Sequence, residues 1–191
     1  MSLDRSQFRD SYRYRLAAVG EALAPALRMI ARASSRSAPT PPRQWRTGVI
    51  LGNNHLGDVL YRTCSLALLK RGLPDCHWAY LTSASASPVL AGNPFIDEVL
   101  PWTRDDDAQR FANGRYRDMA VRRFDVALCS DNVAHHHAVM LALRLGIPNR
   151  VAFNRKGLSG LITECIPLPG SIPHAAAFRR MVQTIAGEED L

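Results

Sequence analysis

Short β-branched apolar runs alternate with helical periods over most of this chain. Val49-Ile50-Leu51 breaks into a polar turn, Gly52-Asn53-Asn54-His55-Leu56-Gly57-Asp58, and that turn opens into a helical pattern from Val59 to Arg71. Lys70 and Arg71 followed by Gly72 form a helix stop. Beyond it the pattern predicts strands over 77–82, 96–101, 124–129 and 150–153, with a sixth over 161–168. Between them it predicts a loop with a short helix over 83–91, a polar loop and helix over 103–123, and a helix over 134–145 closed by Gly146. A last helix covers 173–186, with Phe178, Met181, Val182 and Ile185 on one side. Repeated strand-then-helix order predicts an α/β, Rossmann-like, mainly parallel sheet with helices on both faces.

Upstream the period changes. Phe8, Tyr12, Leu16, Val19, Leu23, Leu27 and Ile30 recur at steps of three and four, which puts them on one face of a helix. Arg5, Arg9, Arg13, Arg28 and Arg32 lie off that face, and Pro25 should kink or split the helix. Ser34 to Arg46 carries Pro39, Pro41 and Pro42 and reads as an extended linker. The chain therefore divides into a basic amphipathic extension over 1–33, a linker over 34–46 and an α/β domain over 47–191.

Charge sharpens that division. Residues 1–46 hold nine arginines against Asp4, Asp10 and Glu21, so +6 of the formal +7 belongs to the extension and linker. A basic amphipathic helix at 5–33 fits the interface of an anionic membrane; the competing expectation packs its apolar stripe on the domain or on a second copy. Nucleic acid is not an expected partner, because the charge does not continue onto the domain. No apolar run is long enough to span a bilayer, and charges interrupt every stretch that could serve as a signal peptide core. Cys64, Cys76, Cys129 and Cys165 are scattered without paired spacing, so free, buried thiols in a reducing cytoplasm are expected.

Gly57-Asp58-Val59, Pro74-Asp75, Asn93-Pro94 and Asp97-Glu98-Val99 occur in an order that resembles the opening of family 9 glycosyltransferases, the lipopolysaccharide heptosyltransferases. Phe124-Asp125-Val126 and Arg150-Val151-Ala152-Phe153 resemble the later strands of the same domain, and the similarity runs from about Thr47 to Ala186. The resemblance implies the amino-terminal, acceptor-binding half of a GT-B fold. It also implies transfer, with inversion, of a sugar from a nucleotide-sugar of the ADP-heptose type to a lipid-linked acceptor in lipopolysaccharide core or related glycan synthesis. No counterpart of the donor half's glycine-rich loop or acidic motif follows, so the chain is expected to be truncated or completed by a separate donor-domain chain. The implied location is cytoplasmic, peripheral on the inner membrane.

Asp58 maps onto the family's general base, which removes the proton of the attacking hydroxyl. A carboxylate there is also well suited to capping the helix, and both readings stand on spacing alone. Asn54, His55 and Gly57 in the same loop, with Asp131 and His135 after the fourth strand, are the candidate acceptor contacts. Departures surround them. The family's basic and hydroxyl loop residues are here Gly52, Asn53, Asn54 and His55, its first-helix proline is Cys64, and its acid after the fourth strand is Cys129. No metal or cofactor is expected: His135, His136 and His137 point about 100° apart on a helix and cannot share one ion. A catalytically silent sugar- or lipid-binding module is the alternative. A nucleotide-binding Rossmann domain is disfavoured, because no G-x-G-x-x-G follows the first strand.

Overall fold

The computed structural model describes residues 11–52, 55–102, 114–130, 135–153, 157–167 and 172–187. The strands are β1 (Thr47–Leu51), β2 (His77–Ser83), β3 (Glu98–Trp102), β4 (Val126–Cys129), β5 (Asn149–Phe153) and β6 (Glu164–Ile166). They form one sheet in the order β3-β2-β1-β4-β5-β6, and every neighbouring pair is parallel. The expected Rossmann-like sheet is thus present. Both of its faces are covered, as an all-parallel sheet requires.

The helices are α1 (Ser11–Ala22), α2 (Ala24–Ser34), α3 (Leu56–Thr63), α4 (Leu66–Gly72), α5 (Gly114–Val121), α6 (His135–Arg144) and α7 (His174–Ala186). Alternate residues of each central strand feed two cores. Ile50, Trp78, Tyr80, Leu128 and Phe153 pack with Val59 of α3, Leu66 and Leu69 of α4, and Phe178, Met181 and Ile185 of α7. Val49, Leu51, Ala79, Ala127 and Ala152 pack instead with Val139 and Ala142 of α6, Met119 of α5 and Ala31 of α2. Each fully buried aliphatic or aromatic side chain contributes about 1.5–3 kcal/mol relative to an exposed one.

The predicted helix over 59–71 is two helices. Thr63 Oγ1 donates to the Leu60 carbonyl at 2.7 Å, and the Ser65 N–H turns to the Arg62 carbonyl at 3.0 Å. A hydroxyl bonded back to its own helix bends it, and here the bend ends α3 and starts α4. Gly72 does close α4, yet not as a left-handed cap: a Cβ there would lie 2.3 Å from Ala186 Cβ, so glycine lets α4 touch α7. The sixth strand is only three residues long, because Ser159–Leu161 coils into a 3₁₀ turn before it.

Two acidic residues brace the amino ends of the strands. Asp125 Oδ2 accepts the N–H groups of Arg46 and Thr47 at 2.8 and 2.9 Å. Asp97 Oδ2 accepts the Trp78 N–H at 2.7 Å and Lys70 Nζ at 2.9 Å. Burial alone would push the Asp97 carboxyl up, but these two donors outweigh it and hold the group below the ordinary carboxylate range.

Pro25 splits the extension as expected, into α1 and α2. The stripe behaves differently: Leu16, Val19, Leu23 and Ile30 are each more than half exposed, and among its described side chains Leu27 alone packs on the domain, Phe8 and the Tyr12 side chain lying outside those described. The buried row is Ala17, Ala24 and Ala31, at heptad spacing, with Gly20 on the same face. A Cβ on Gly20 would stand 2.4 Å from the Gly157 carbonyl oxygen, and one on Gly160 would stand 2.4 Å from the Ala24 carbonyl oxygen. Small residues on both sides bring backbone against backbone, so a narrow seam docks the helices while the bulkier stripe stays in solvent. The segment after α2 is also stitched down: Arg36 N–H donates to the Gly146 carbonyl at 3.1 Å, and Thr40 N–H to Asn149 Oδ1 at 2.9 Å.

Candidate active site

Strand order reverses between β1 and β4: the chain runs outward from β1 to β2 and β3, then returns to β4 on β1's other side. In open α/β sheets the crevice at the carboxyl ends of such a pair is the usual ligand site. The register puts Leu51 beside Leu81 on one side and Cys129 on the other, and these residues form the rim. Just beyond them Gly52 N–H donates to the Leu81 carbonyl at 3.1 Å, and Ser130 Oγ donates to the Leu51 carbonyl at 3.3 Å. Gly52 is required because a Cβ would sit 2.5 Å from the Tyr80 ring.

The chain then turns into α3 over this rim. His55 is the residue before the helix, extended at φ −93°, ψ 132°, with no side-chain cap. Asp58 lies in the first turn of α3, two residues inside its start, so it is not the capping residue that spacing alone allowed. Its carboxylate is partly exposed, and the Asp58 N–H donates to the His55 carbonyl at 3.1 Å. His55 and Gly57 are exposed beside it, and space within 4 Å of the Gly57 Cβ position is open. The structure therefore brings His55, Gly57 and Asp58 together at the switch point. Asn54 and Asp131 lie outside the described residues. His135 opens α6, which follows β4 across the crevice, and its side chain is not described. No three His, Cys, Asp or Glu side chains converge on a metal-sized space among the described residues.

A residue that pattern reading overlooked lies beneath. Arg62, one turn after Asp58 on α3, is buried; Nη2 donates to the Ser130 carbonyl at 2.9 Å and the guanidinium carbon lies 5.9 Å from the Phe178 ring centroid. Its Nη1 is buried without a hydrogen-bond partner among the described residues. Arg62 thus ties α3 to the end of β4 and places a fixed positive charge under the crevice. The i, i+4 spacing from Asp58 was the available signal. On the outer side of the same helix Leu56, Leu60 and Tyr61 are more than half exposed.

The thiols divide by position. Burial pushes Cys76 and Cys129 up to about 12 and Cys165 to about 11, while Cys64 is exposed at the bend after α3, which corrects the expectation of uniformly buried thiols.

An all-parallel, Rossmann-like sheet covered on both faces is the architecture of one lobe of a GT-B fold, and solved glycosyltransferase structures match it. A family 9 glycosyl transferase from Veillonella parvula DSM 2008 superposes with a TM-score of 0.64 over 78% of this chain and 43% of its own, at 19% identity. The E. coli heptosyltransferase WaaC bound to ADP-2-deoxy-2-fluoro heptose matches at 0.59, 12% identity, over 75% of this chain and 49% of its own. E. coli ADP-heptose lps heptosyltransferase II matches at 0.56, 17% identity, over 72% and 40%. The fold is thus that of the family 9 and heptosyltransferase structures, and the chain spans less than half the length of each. No family model and no curated protein matches the sequence.

Proposed function

We propose that this chain is the acceptor-binding lobe of an inverting glycosyltransferase of the family 9 type. The observation that carries the reading is Asp58, held in the first turn of α3 directly beyond β1, at the switch point of an all-parallel sheet shared with those structures. In the reaction the acceptor hydroxyl attacks the anomeric carbon of a nucleotide-sugar, its proton passes to the Asp58 carboxylate, and the nucleoside diphosphate leaves with inversion. His55, with Asn54 before it in the chain, would orient the acceptor, and the buried Arg62 guanidinium would supply positive charge from the same helix. The donor sugar, of the ADP-heptose type, needs a second lobe, supplied by a further domain or a separate chain.

The acceptor is read as lipid-linked, presented at the cytoplasmic face of the inner membrane. The outward row of Leu16, Val19, Leu23, Met29 and Ile30, each more than half exposed and accompanied by exposed Arg15, Arg28 and Arg32, suits an anionic membrane surface. No helix among the described residues is long and apolar enough to cross a membrane.

The test supplies ADP-heptose and a lipid A core acceptor, with and without a donor-domain chain, to the protein and to Asp58→Asn. A general base contributes about 10²–10⁴-fold, and the variant should lose that much transfer. Transfer unchanged in the variant would remove Asp58 as base. Acceptor binding without transfer under any complementation would favour a silent binding module.

A further inference from the structure

Opposite the candidate active site, near the amino ends of β5 and β6, a cavity of about 820 Å³ opens between α2, residues 35–39 and the turn at 159–163. Its walls carry Arg28, Arg32 and Arg150, with the hydroxyls of Ser35, Ser37, Ser159 and Thr163. Among the described residues Glu21 is the single carboxylate in the wall, and it is engaged: it accepts Ser159 Oγ at 2.6 Å and the Ser159 N–H at 3.3 Å. Ser35, Ser159 and Thr163 spend their hydroxyl protons on the Ala31 carbonyl, the Glu21 carboxylate and the Arg150 carbonyl, so the ligand-directed donors are those of the guanidiniums, and three of these against one committed carboxylate leave the space cationic.

Arg150 makes the case sharper. It is buried, its Nε donates to the Leu161 carbonyl at 2.6 Å and its Nη1 to Ser35 Oγ at 2.9 Å, and further bonds go to the carbonyls of Ile147 and Pro148. None of these partners carries a charge. A buried cation compensated only by neutral dipoles is costly, and an anion in the adjoining space would offset that cost. Arg28 and Arg32 form no ion pair among the described residues. At 100° per residue, Arg28, Arg32 and Ser35 share the side of α2 that faces the cavity, while Met29, Ala33 and Ala26 occupy the neighbouring outward side.

We propose that this cavity binds a phosphate-type oxyanion, held between Arg28, Arg32 and Arg150. Two sources share that chemistry: a soluble phosphate, or the phosphate monoester head of an anionic lipid lying against the apolar side of α2. The site is independent of the reaction read at Asp58.

The experiment measures binding of inorganic phosphate by titration calorimetry, and binding to phosphatidylcholine vesicles with and without phosphatidic acid by cosedimentation. Variants are Arg28→Ala/Arg32→Ala, the charge-matched control Arg43→Ala/Arg179→Ala, whose exposed positions lie outside both the cavity and the outward row of the first two helices, and Glu21→Gln. Loss of two charge-assisted contacts should weaken binding about tenfold or more in the cavity variant and leave the control near the parent. Glu21→Gln keeps an acceptor for Ser159 while removing the opposing charge, and should tighten binding. Phosphate binding with this pattern assigns a soluble ligand; the same pattern only on phosphatidic acid vesicles assigns a lipid head. Binding in neither arm, or equal loss in the cavity and control variants, overturns the proposal. Arg150 is left intact because its substitution would strand buried carbonyls.

Discussion

Replacing Gly20 by alanine separates two accounts of the amino-terminal helices by the sign of the stability change. Glycine inside a helix is worse than alanine by about 0.8–1.0 kcal/mol, so if α1 merely extends into solvent, Gly20→Ala stabilises. In the structure the added Cβ would meet the Gly157 carbonyl oxygen at 2.4 Å and its carbonyl carbon at 3.0 Å. Neither atom can swing aside, because Gly157 sits at φ 69° with its own Cβ position 2.2 Å from the Ala17 oxygen. The helix must therefore lift, and overpacking of this kind costs about 1–3 kcal/mol. Net destabilisation of up to about 2 kcal/mol is expected, read as a lower urea midpoint at unchanged slope. Gly160→Ala, whose Cβ would lie 2.4 Å from the Ala24 oxygen and 2.8 Å from Leu27 Cβ, should behave alike, and both variants should expose 11–34 to limited proteolysis. A Gly20→Ala protein more stable than the parent would refute the docked seam.

Asp97→Asn removes a carboxylate that accepts from Trp78 N–H and Lys70, and should cost about 1–2 kcal/mol at pH 7. Because the folded carboxyl titrates below its unfolded value, that contribution is present above about pH 4 and fades as pH falls through the folded value, so parent and variant curves should converge in acid. Equal gaps at pH 7 and pH 2.5 would count against it. Thiol labelling with a disulfide reagent at pH 8 should modify Cys64 fast and Cys76 and Cys129 only on unfolding, with the half-buried Cys165 between them, since burial both hides Cys76 and Cys129 and holds them protonated. Labelling of Cys76 or Cys129 at the Cys64 rate would contradict that arrangement.

Which features could be read from residues alone follows from how strongly each is written. The strands were legible because Val49-Ile50-Leu51 and Val126-Ala127-Leu128-Cys129 are continuous apolar runs, as strands covered on both faces must be. The bend after Thr63 was not, since it depends on one hydroxyl choosing a carbonyl within its own helix. The docking seam escaped for a related reason. Periodicity weights large side chains, and the stripe from Leu16 to Ile30 drew attention from Ala17, Gly20, Ala24 and Ala31, whose value lies in being small.

The same contrast bears on the family-like motifs. Asp97 and Asp125 sit at the amino ends of the strands, each clamping backbone N–H groups with its carboxylate, so those motifs record how the sheet is braced. Asn93 is likewise spent on a turn, its Oδ1 accepting the Phe95 N–H at 3.0 Å. Asp75 makes only an exposed pair with Arg46, of a kind worth little. Of the acidic motif residues whose positions are described, Asp58 alone lies at the carboxyl rim, where a parallel sheet presents its ligand crevice. Most of the ordered resemblance thus speaks for the fold, and the chemistry rests on one carboxylate in the first turn of α3. That is why the Asp58→Asn assay, rather than any further match of motifs, decides the function.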